Sequence, residues 1–547
     1  MPDMSSPLPI AARYTRSVHL QRDFTTIQSS LVGYQVTPLV IHTMERIVDA
    51  LRSTPHSRAF SIIGPYGAGK SAFALFLSHY MSISPAQRRS LLATSNPAEE
   101  IVATLADAPI MLPVLISGNN SSLRQSLLHS LHLSLAGNIE DATSSPLMEK
   151  LDACITQGNV DPQTVADLVE EASHFVAARS SFAGVMMVID ELGQHLNYAA
   201  HQQSDRDLYV LQTLAEMTAR SSDVPCLIIT ILHQAFDRYV GMAGVGQRTE
   251  WAKVQGRFVD IPFLEPEIQL LRMVGRALCP QPQADPYAAQ REAWANRVGP
   301  ITENLELRPG TVDEQEWFQL VAQTYPLHPT VLVALPLLFR QLAQNERSLF
   351  AFLTSYEPWS LQDYVAAGQP DSTTLPIYRL PHLYAYVEAT LGPGLFARAR
   401  GRRWAELAEA CTLANNMGPV AQETLKVIGT LNALGQNRAL RASEQCVSFA
   451  LRDAPDAPQI QASIEQLRTH QHVMYRAHRD SFVLWEGSDL DIERMVQIAR
   501  HHEGDRLQVA TLLQQYADVL PKVARKHSYV TGSVRQFAVR FVSIHDL

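Results

Sequence analysis

Gly64-Pro65-Tyr66-Gly67-Ala68-Gly69-Lys70-Ser71 sets three glycines, a lysine and a hydroxyl in the spacing GxxxxGK[ST], the pattern of a phosphate-binding loop. The glycines let successive backbone N–H groups converge on phosphate oxygens, where the dipole of a following helix adds partial positive charge. In that pattern Lys70 reaches the β- and γ-phosphates and the Ser71 hydroxyl coordinates Mg²⁺. A second set of reactive residues lies at Gly184-Val185-Met186-Met187-Val188-Ile189-Asp190-Glu191, an apolar run ending in two acids. Asp190 is placed to hold Mg²⁺ through water, and Glu191 to polarise an attacking water as general base. The competing reading, a solvated acidic pair capping the next helix, weakens once the loop is present upstream. The expected cofactors are ATP and Mg²⁺.

Both sets need a strand beneath them and a helix behind. Apolar Ala59-Phe60-Ser61-Ile62-Ile63 precedes the loop, and apolar Ala72 to Leu77 follows it. Short apolar runs of four to eight residues are consistent with buried parallel strands. They recur at Pro109 to Ile116, Gly184 to Ile189, Pro225 to His233 and Phe258 to Phe263. Two prolines in the first of these point to a sheet edge. Helical spacing fills the intervals at Leu39–Leu51, Ser121–Ala136, Thr164–Ala178 and Asp207–Arg220. The alternation predicts an α/β fold with a parallel sheet covered on both faces and ligands at the carboxyl ends of its strands.

Composition frames these motifs. The chain has 547 residues, 46% hydrophobic and 18% charged, as soluble globular domains have. Its formal charge is −9 and its pI about 6.1, so nucleic-acid contact requires a local basic patch. Cys154, Cys226, Cys279, Cys411 and Cys446 are scattered, without a CxxC pair or a histidine at ligand spacing. They read as small buried hydrophobes in a reducing compartment. No apolar run approaches the ~18 residues of a membrane span, and the N-terminus lacks a signal-peptide core. A cytoplasmic chain without membrane contact is expected.

The order of the parts carries a resemblance. One strand separates the Lys70 loop from Asp190, and another follows Asp190 and ends in polar Thr230 and His233. That arrangement resembles the additional-strand ATPases, in which a polar residue beside the acidic strand senses the γ-phosphate; Thr230 takes that role by resemblance, with His233 as alternate. Val254-Gln255-Gly256-Arg257-Phe258 leads into the last strand. It looks like the Val-x-[Ser/Gly]-Arg-Phe segment of AAA+ ATPases of the origin-recognition and Cdc6-like branch. The resemblance implies that Arg257, with Arg248 second, is an arginine finger reaching a neighbour's ATP; an arginine paired within its own subunit is the alternative. It also implies a helical lid with an arginine over the γ-phosphate, for which Arg347 is the candidate, and adenine packed by Tyr34 or Val36. For the last two residues a plain turn and helix cap is the alternative.

Expected boundaries are an N-terminal arm (1–35), the ATPase core (36–264), a helical lid (265–368) and a linker with helices (369–417). A winged-helix-like domain (418–488) and a C-terminal helical and β extension (489–547) follow. Helical spacing at Val420–Leu434, Ala442–Leu451 and Gln459–Leu467 precedes two alternating runs joined by Ala477-His478-Arg479-Asp480, the pattern of three helices and a hairpin. Such a domain binds DNA or RNA phosphate, here through Arg468, Arg476, His478 and Arg479, or serves as a protein contact. The third helix has few basic residues. Val188-Ile189-Asp190-Glu191-Leu192-Gly193, Tyr325-Pro326-Leu327-His328-Pro329, Gln344 to Leu353 and Tyr475 to Ser488 carry a second resemblance: the run from Val36 to about Trp485 resembles large prokaryotic AAA+ and STAND-like ATPases of phage-defence and restriction islands, whose members often run longer. This implies an oligomeric switch in antiviral defence with an effector encoded nearby, and either a C-terminal part on another polypeptide or a shortened member. A loader-type ATPase acting on DNA, a kinase on the same loop and a non-hydrolysing scaffold are the other readings. The acidic pair and the polar strand favour water as acceptor over kinase chemistry.

Overall fold

A computed structural model describes residues 8–10, 18–25, 34–52, 57–93, 98–118, 121–201, 206–220, 224–233, 253–279, 285–342, 349–368, 374–396, 401–435, 440–485, 495–496, 509–517, 519, 521–524, 526–527 and 535–543. The five apolar runs are strands: β1 (Ala59–Ile63), β2 (Met111–Ile116), β3 (Gly184–Ile189), β4 (Cys226–Leu232) and β5 (Val259–Pro262). They pair in parallel in the order β2-β3-β4-β1-β5. β4 thus lies between the loop-bearing β1 and the acidic β3, the additional-strand order. β2 is an edge, which is where a strand carrying Pro113 belongs.

Strand alternation divides the core between the two faces of the sheet. Val185, Met187 and Ile189 join one buried cluster with Leu127, Val169 and Leu211 from the helices Leu123–Asn138, Pro162–Arg179 and Arg206–Arg220. Met186 and Val188 join another with Val48, Phe73 and Leu77 from Pro38–Arg52 and Lys70–Ser82. Both faces are covered over β1 to β4, so these strands are mostly apolar, and the two polar side chains buried within them, Ser61 and Thr230, pair with each other.

Beyond β5 the chain is helical. Helices Glu267–Leu278, Ala288–Asn304, Glu314–Gln323, Pro329–Leu342, Leu361–Ala367, Leu380–Phe396 and Arg402–Leu413 lead to Pro419–Ala433, Glu444–Arg452 and Pro458–Thr469. A hairpin of β6 (Val473–Arg476) and β7 (Ser481–Leu484) closes this run. The three-helix-and-hairpin pattern is present where the sequence outlines it. One continuous buried cluster runs from Leu271 to Leu484, and Leu8 and Ile10 belong to it. Residues Trp485–Leu547 form a separate unit with the helix Val509–Tyr516 and a short pairing of Lys522–Val523 with Gln536–Phe537. Among the described residues no helix is long and apolar enough to cross a membrane, and the five cysteines are free.

An ion-pair node fixes the hairpin module to the helices before it. Asp453 ends the helix Glu444–Arg452 at φ +57° and pairs with Arg379 at 2.6 Å, Arg297 at 3.2 Å and the buried His328 at 3.5 Å. Burial alone would raise its carboxyl; hydrogen bonds from His328 and Arg379 outweigh that and hold it well below the carboxylate range. A depressed carboxyl adds stability above its unfolded pKa of about 4 and loses it as pH falls through the folded value. Asparagine tolerates the same left-handed backbone, so Asp453→Asn tests the charge alone. The variant is expected to lose about 3 kcal/mol at pH 7, with a gap to wild type that narrows below about pH 4. Urea melts at pH 7 and at about pH 2.5, well under the unfolded value, check this; an equal gap at both denies the node its charge.

Candidate active site

The loop is shaped by its glycines. Gly69 holds φ +83° at the start of the helix Lys70–Ser82, a conformation side chains disfavour. A Cβ on Gly64 would lie 2.2 Å from the Phe263 carbonyl oxygen, so only glycine lets β1 turn beside the end of β5. The Gly64 N–H donates to the Leu232 carbonyl (3.2 Å), and Phe263 N–H to the Ile63 carbonyl (2.7 Å). Pro65 and Tyr66 continue the turn, Gly67 takes φ +73°, and Ala68 N–H donates back to the Pro65 carbonyl (3.3 Å).

Lys70 is 4% exposed and folds back on its own loop, donating to the carbonyls of Gly64 (2.7 Å) and Pro65 (2.6 Å). Burial pushes its ammonium down to about 8, against the opposing charges of Asp190 and Glu191. Asp190, 5% exposed, follows β3. Burial pushes its carboxyl up, opposed by hydrogen bonds from the Ser71 hydroxyl and the Glu191 N–H and by the charges of Lys70 and His19. The two residues expected to hold Mg²⁺, Ser71 and Asp190, are therefore in contact. A hydroxyl and a carboxylate beside a phosphate loop are hard oxygen donors that suit this ion, so the site fits it.

Glu191 has φ +51°, a left-handed backbone on a residue that rarely adopts it. Such strain gathers at functional sites. Its N–H donates to Asp190 Oδ1 at 2.9 Å, and its Oε2 accepts from the Gln194 amide. A Cβ on Gly118 would stand 2.6 Å from the Glu191 Cβ, so the turn after β2 passes directly over this residue.

The sensor expectation needs correction. Thr230 is fully buried within the sheet, its hydroxyl 2.9 Å from that of Ser61 and bonded to the Phe60 carbonyl (3.3 Å). It sits inside β4 with its hydrogen-bonding capacity used, because the strand continues through Leu232. His233, the alternate, lies at the strand's carboxyl end and stacks on Tyr66 of the loop (centroids 3.4 Å, 18°). Burial, then the Lys70 charge, pushes its imidazole down to about 3, so it is neutral, and its Nδ1 is buried with no hydrogen-bond partner among the described residues.

Arg257 lies at the opposite end of the sheet. It precedes β5, its carbonyl accepts from Ser57 Oγ before β1 (3.3 Å), and its guanidinium pairs with Glu216 at 3.1 Å. Six residue steps, four of them through β5, separate it from Phe263 beside the loop, at up to ~3.3 Å per step, so it does not serve its own site. Tyr34 stacks on Phe76 of the loop helix (4.4 Å, 16°), and Val36 packs against the same cluster. Burial, then the Glu265 charge, raises the Tyr34 hydroxyl. Arg248 and Arg347 lie outside the described residues.

Sequence reading missed three parts of the site. Gln194 lies in the first turn of the helix Leu192–His201, and its N–H donates to the Glu191 carbonyl (2.9 Å) just before that helix, a meeting that depends on the left-handed turn at Glu191. Gly118 gave no signal beyond being a glycine. The short helix Leu20–Phe24 packs on the loop helix through Phe24, whose ring stacks on His79 (4.3 Å, 17°), and brings His19 within electrostatic reach of Asp190.

Comparison of the fold finds solved structures of origin-recognition proteins. The Aeropyrum pernix ORC2 protein, in ADPNP-ADP complexes, is 12% identical with a TM-score of 0.31, over 87% of this chain and 97% of that one. The A. pernix ORC1 protein in complex with DNA is 14% identical with a TM-score of 0.30, over 86% and 95%. Drosophila ORC bound to DNA is 10% identical with a TM-score of 0.32, over 91% and 96%. Likeness at this level transfers no residue role. No protein-family model and no curated protein matches the sequence.

Proposed function

We propose that this chain binds ATP with Mg²⁺, hydrolyses it with water, and works as an oligomeric nucleotide-driven switch. The observation that carries the reading is the contact of Ser71 with Asp190 at the mouth of the glycine loop, with Glu191 next in the chain. The backbone N–H groups of the loop orient the phosphates, and Lys70 exchanges two loop carbonyls for phosphate oxygens. Its buried ammonium, at about 8, remains mostly protonated at neutral pH, and phosphate charge favours that form further. Mg²⁺, when bound, neutralises phosphate charge beside Ser71 and Asp190. Glu191 accepts a proton from the attacking water at its carboxylate, and His233 offers its neutral ring at the end of β4. Tyr34 and Val36 form an apolar wall suited to the adenine.

γ-Labelled ATP tests the reaction. Label released as inorganic phosphate, and none with Lys70→Ala, supports the ATPase; label on another acceptor makes the protein a kinase. No hydrolysis at full nucleotide occupancy leaves the scaffold reading.

The hairpin module favours DNA as the switch's target over an effector protein, because exposed His478 and Arg479 follow the half-buried Arg476 at the tip. Arg468, by contrast, is paired with Glu465 (2.9 Å). Arg476→Ala with Arg479→Ala is expected to weaken duplex binding and lower the slope of log K against log salt by about 2. Fluorescence anisotropy between 50 and 200 mM salt, about the range in which such contacts show, measures it. An unchanged slope moves the module to a protein contact and the target to an effector, as in the defence setting.

A further inference from the structure

We infer that Glu265 reads the base of the bound nucleotide: its Oε2 accepts a hydrogen bond from the 6-amino group of adenine and so sets the preference for ATP. The inference rests on the nucleotide-binding reading and adds to it the group that selects the base. Glu265 lies in the short connection between β5 and the helix Glu267–Leu278. It is 6% exposed, and its Oε2 is buried with no hydrogen-bond partner among the described residues. Its other oxygen is occupied, because the Thr37 hydroxyl donates to Oε1 at 2.6 Å. Thr37 is itself held: its Oγ1 accepts from the Val40 N–H (3.2 Å) in the first turn of the helix Pro38–Arg52. The threonine therefore fixes the carboxyl from one side and leaves one acceptor over. A buried acceptor without a donor is costly to the fold, so its retention points to a ligand that supplies one.

The place of this acceptor fits a base. The Phe263 carbonyl lies against Gly64, the first glycine of the loop, and Glu265 is two residues further on, at most about 7 Å of chain. Val36, next to Thr37, is partly buried against the cluster that holds Phe263, and Tyr34 stacks on Phe76. The charge of Glu265 acts on the Tyr34 hydroxyl, which sets the two side by side. An apolar wall with one placed polar atom is the usual make-up of a small-molecule pocket. An acceptor selects a donor. Adenine offers its 6-amino group, whereas guanine carries a carbonyl oxygen at that position and is repelled. Guanine can instead turn N1–H and N2–H₂ toward a carboxylate, but that pairing takes both oxygens, and Thr37 holds one. Burial pushes the Glu265 carboxyl up and the Thr37 bond opposes this. An amine at Oε2 opposes it further, so adenine and the ionised carboxylate favour each other.

Competition against a fluorescent ADP analogue, in the full-length chain, measures the affinities that decide this. The competitors are ATP, GTP and purine riboside triphosphate, which lacks only the 6-amino group. Wild type is expected to bind ATP at least about tenfold more tightly than purine riboside triphosphate, the weight of one hydrogen bond to a charged acceptor. Glu265→Gln keeps an oxygen for Thr37 and turns an NH₂ toward the base, so that gap should shrink to about threefold or less. GTP, its carbonyl now facing a donor, should gain at least about fivefold. Glu265→Met has neither acceptor nor donor, so the gap should close with no gain for GTP. Equal binding of ATP and purine riboside triphosphate to wild type overturns the inference without recourse to a variant. So does a gap that both variants retain while melting as wild type does. A chain that binds none of the nucleotides, the fluorescent one included, sinks the nucleotide reading and Glu265 with it. Equal affinities for all of them leave that reading standing and remove Glu265 alone.

Discussion

Glu191→Gln is expected to lower ATP turnover by about 10²–10⁴-fold while leaving ATP affinity within a few-fold of wild type. The substitution keeps the size of the side chain and removes the group that accepts the proton of water. On the proposed reading Lys70, Ser71 and Asp190 hold the phosphates and metal independently of it, so binding is expected to survive. The left-handed backbone at φ +51° is unchanged by the swap, and a glutamine there tolerates it no better and no worse than a glutamate. A stability change is therefore not the expected cause of lost turnover. Single-turnover hydrolysis with excess enzyme, alongside equilibrium binding of labelled ATP, separates the two quantities. Turnover within threefold of wild type would place the general base elsewhere. A parallel collapse of affinity would make Glu191 a binding residue. Asp190→Asn differs in kind: it removes a metal ligand, so it should raise the Mg²⁺ concentration needed for half-maximal rate.

The glycine turn after β1, the position of the acidic pair after β3 and all five strands were legible because each is a local pattern with one dominant physical demand. A strand covered on both faces must be mostly apolar, and a loop that approaches phosphate must be rich in glycine. Even the edge position of β2 could be read, since Pro113 donates nothing to a ladder. What failed depended on depth and on distance in sequence. Thr230 is polar and near a strand end, yet the strand continues past it and its hydroxyl turns to Ser61. His233, three residues on, is the group that meets the loop. Arg88 shows the limit most plainly. It is fully buried and donates to the carbonyls of Tyr80, Met81, Ala106, Ala108 and Pro109, so it satisfies the ends of two helices at once. In the sequence it is one of two adjacent arginines, and its neighbour Arg89 forms only an exposed pair with Asp107. Leu8, Ile10 and Leu20 were equally silent, because three apolar residues in a mixed segment have no period to read. The Asp453 node joins residues from four separate segments, which no window on the sequence can connect.

Arg257→Ala should cut turnover in the assembled protein by about 10³-fold, at the lower end of what arginine fingers supply, and should leave nucleotide binding by each subunit intact. The side chain stands at the amino end of β5, up to roughly 20 Å from the loop of its own subunit by strand length. Any effect on hydrolysis must therefore be exerted on another copy. Its ion pair with Glu216 does not prevent this. The guanidinium is 53% exposed, and Glu216 also faces Arg220 at 3.5 Å. An exposed pair of this kind is worth about 0–1 kcal/mol, less than the stabilisation that a neighbour's phosphate offers a guanidinium. If the finger reaches across, bound ATP bridges two subunits and must favour assembly by mass action. Glu191→Gln, which retains ATP, should then accumulate oligomers, and Lys70→Ala should stay in smaller species. Mixing decides the point: an excess of inactive Glu191→Gln subunits carrying Arg257 should restore turnover to Arg257→Ala subunits. Light scattering reports the masses with and without ATP. Identical masses in every condition, with no rescue on mixing, would confine Arg257 to its pair with Glu216.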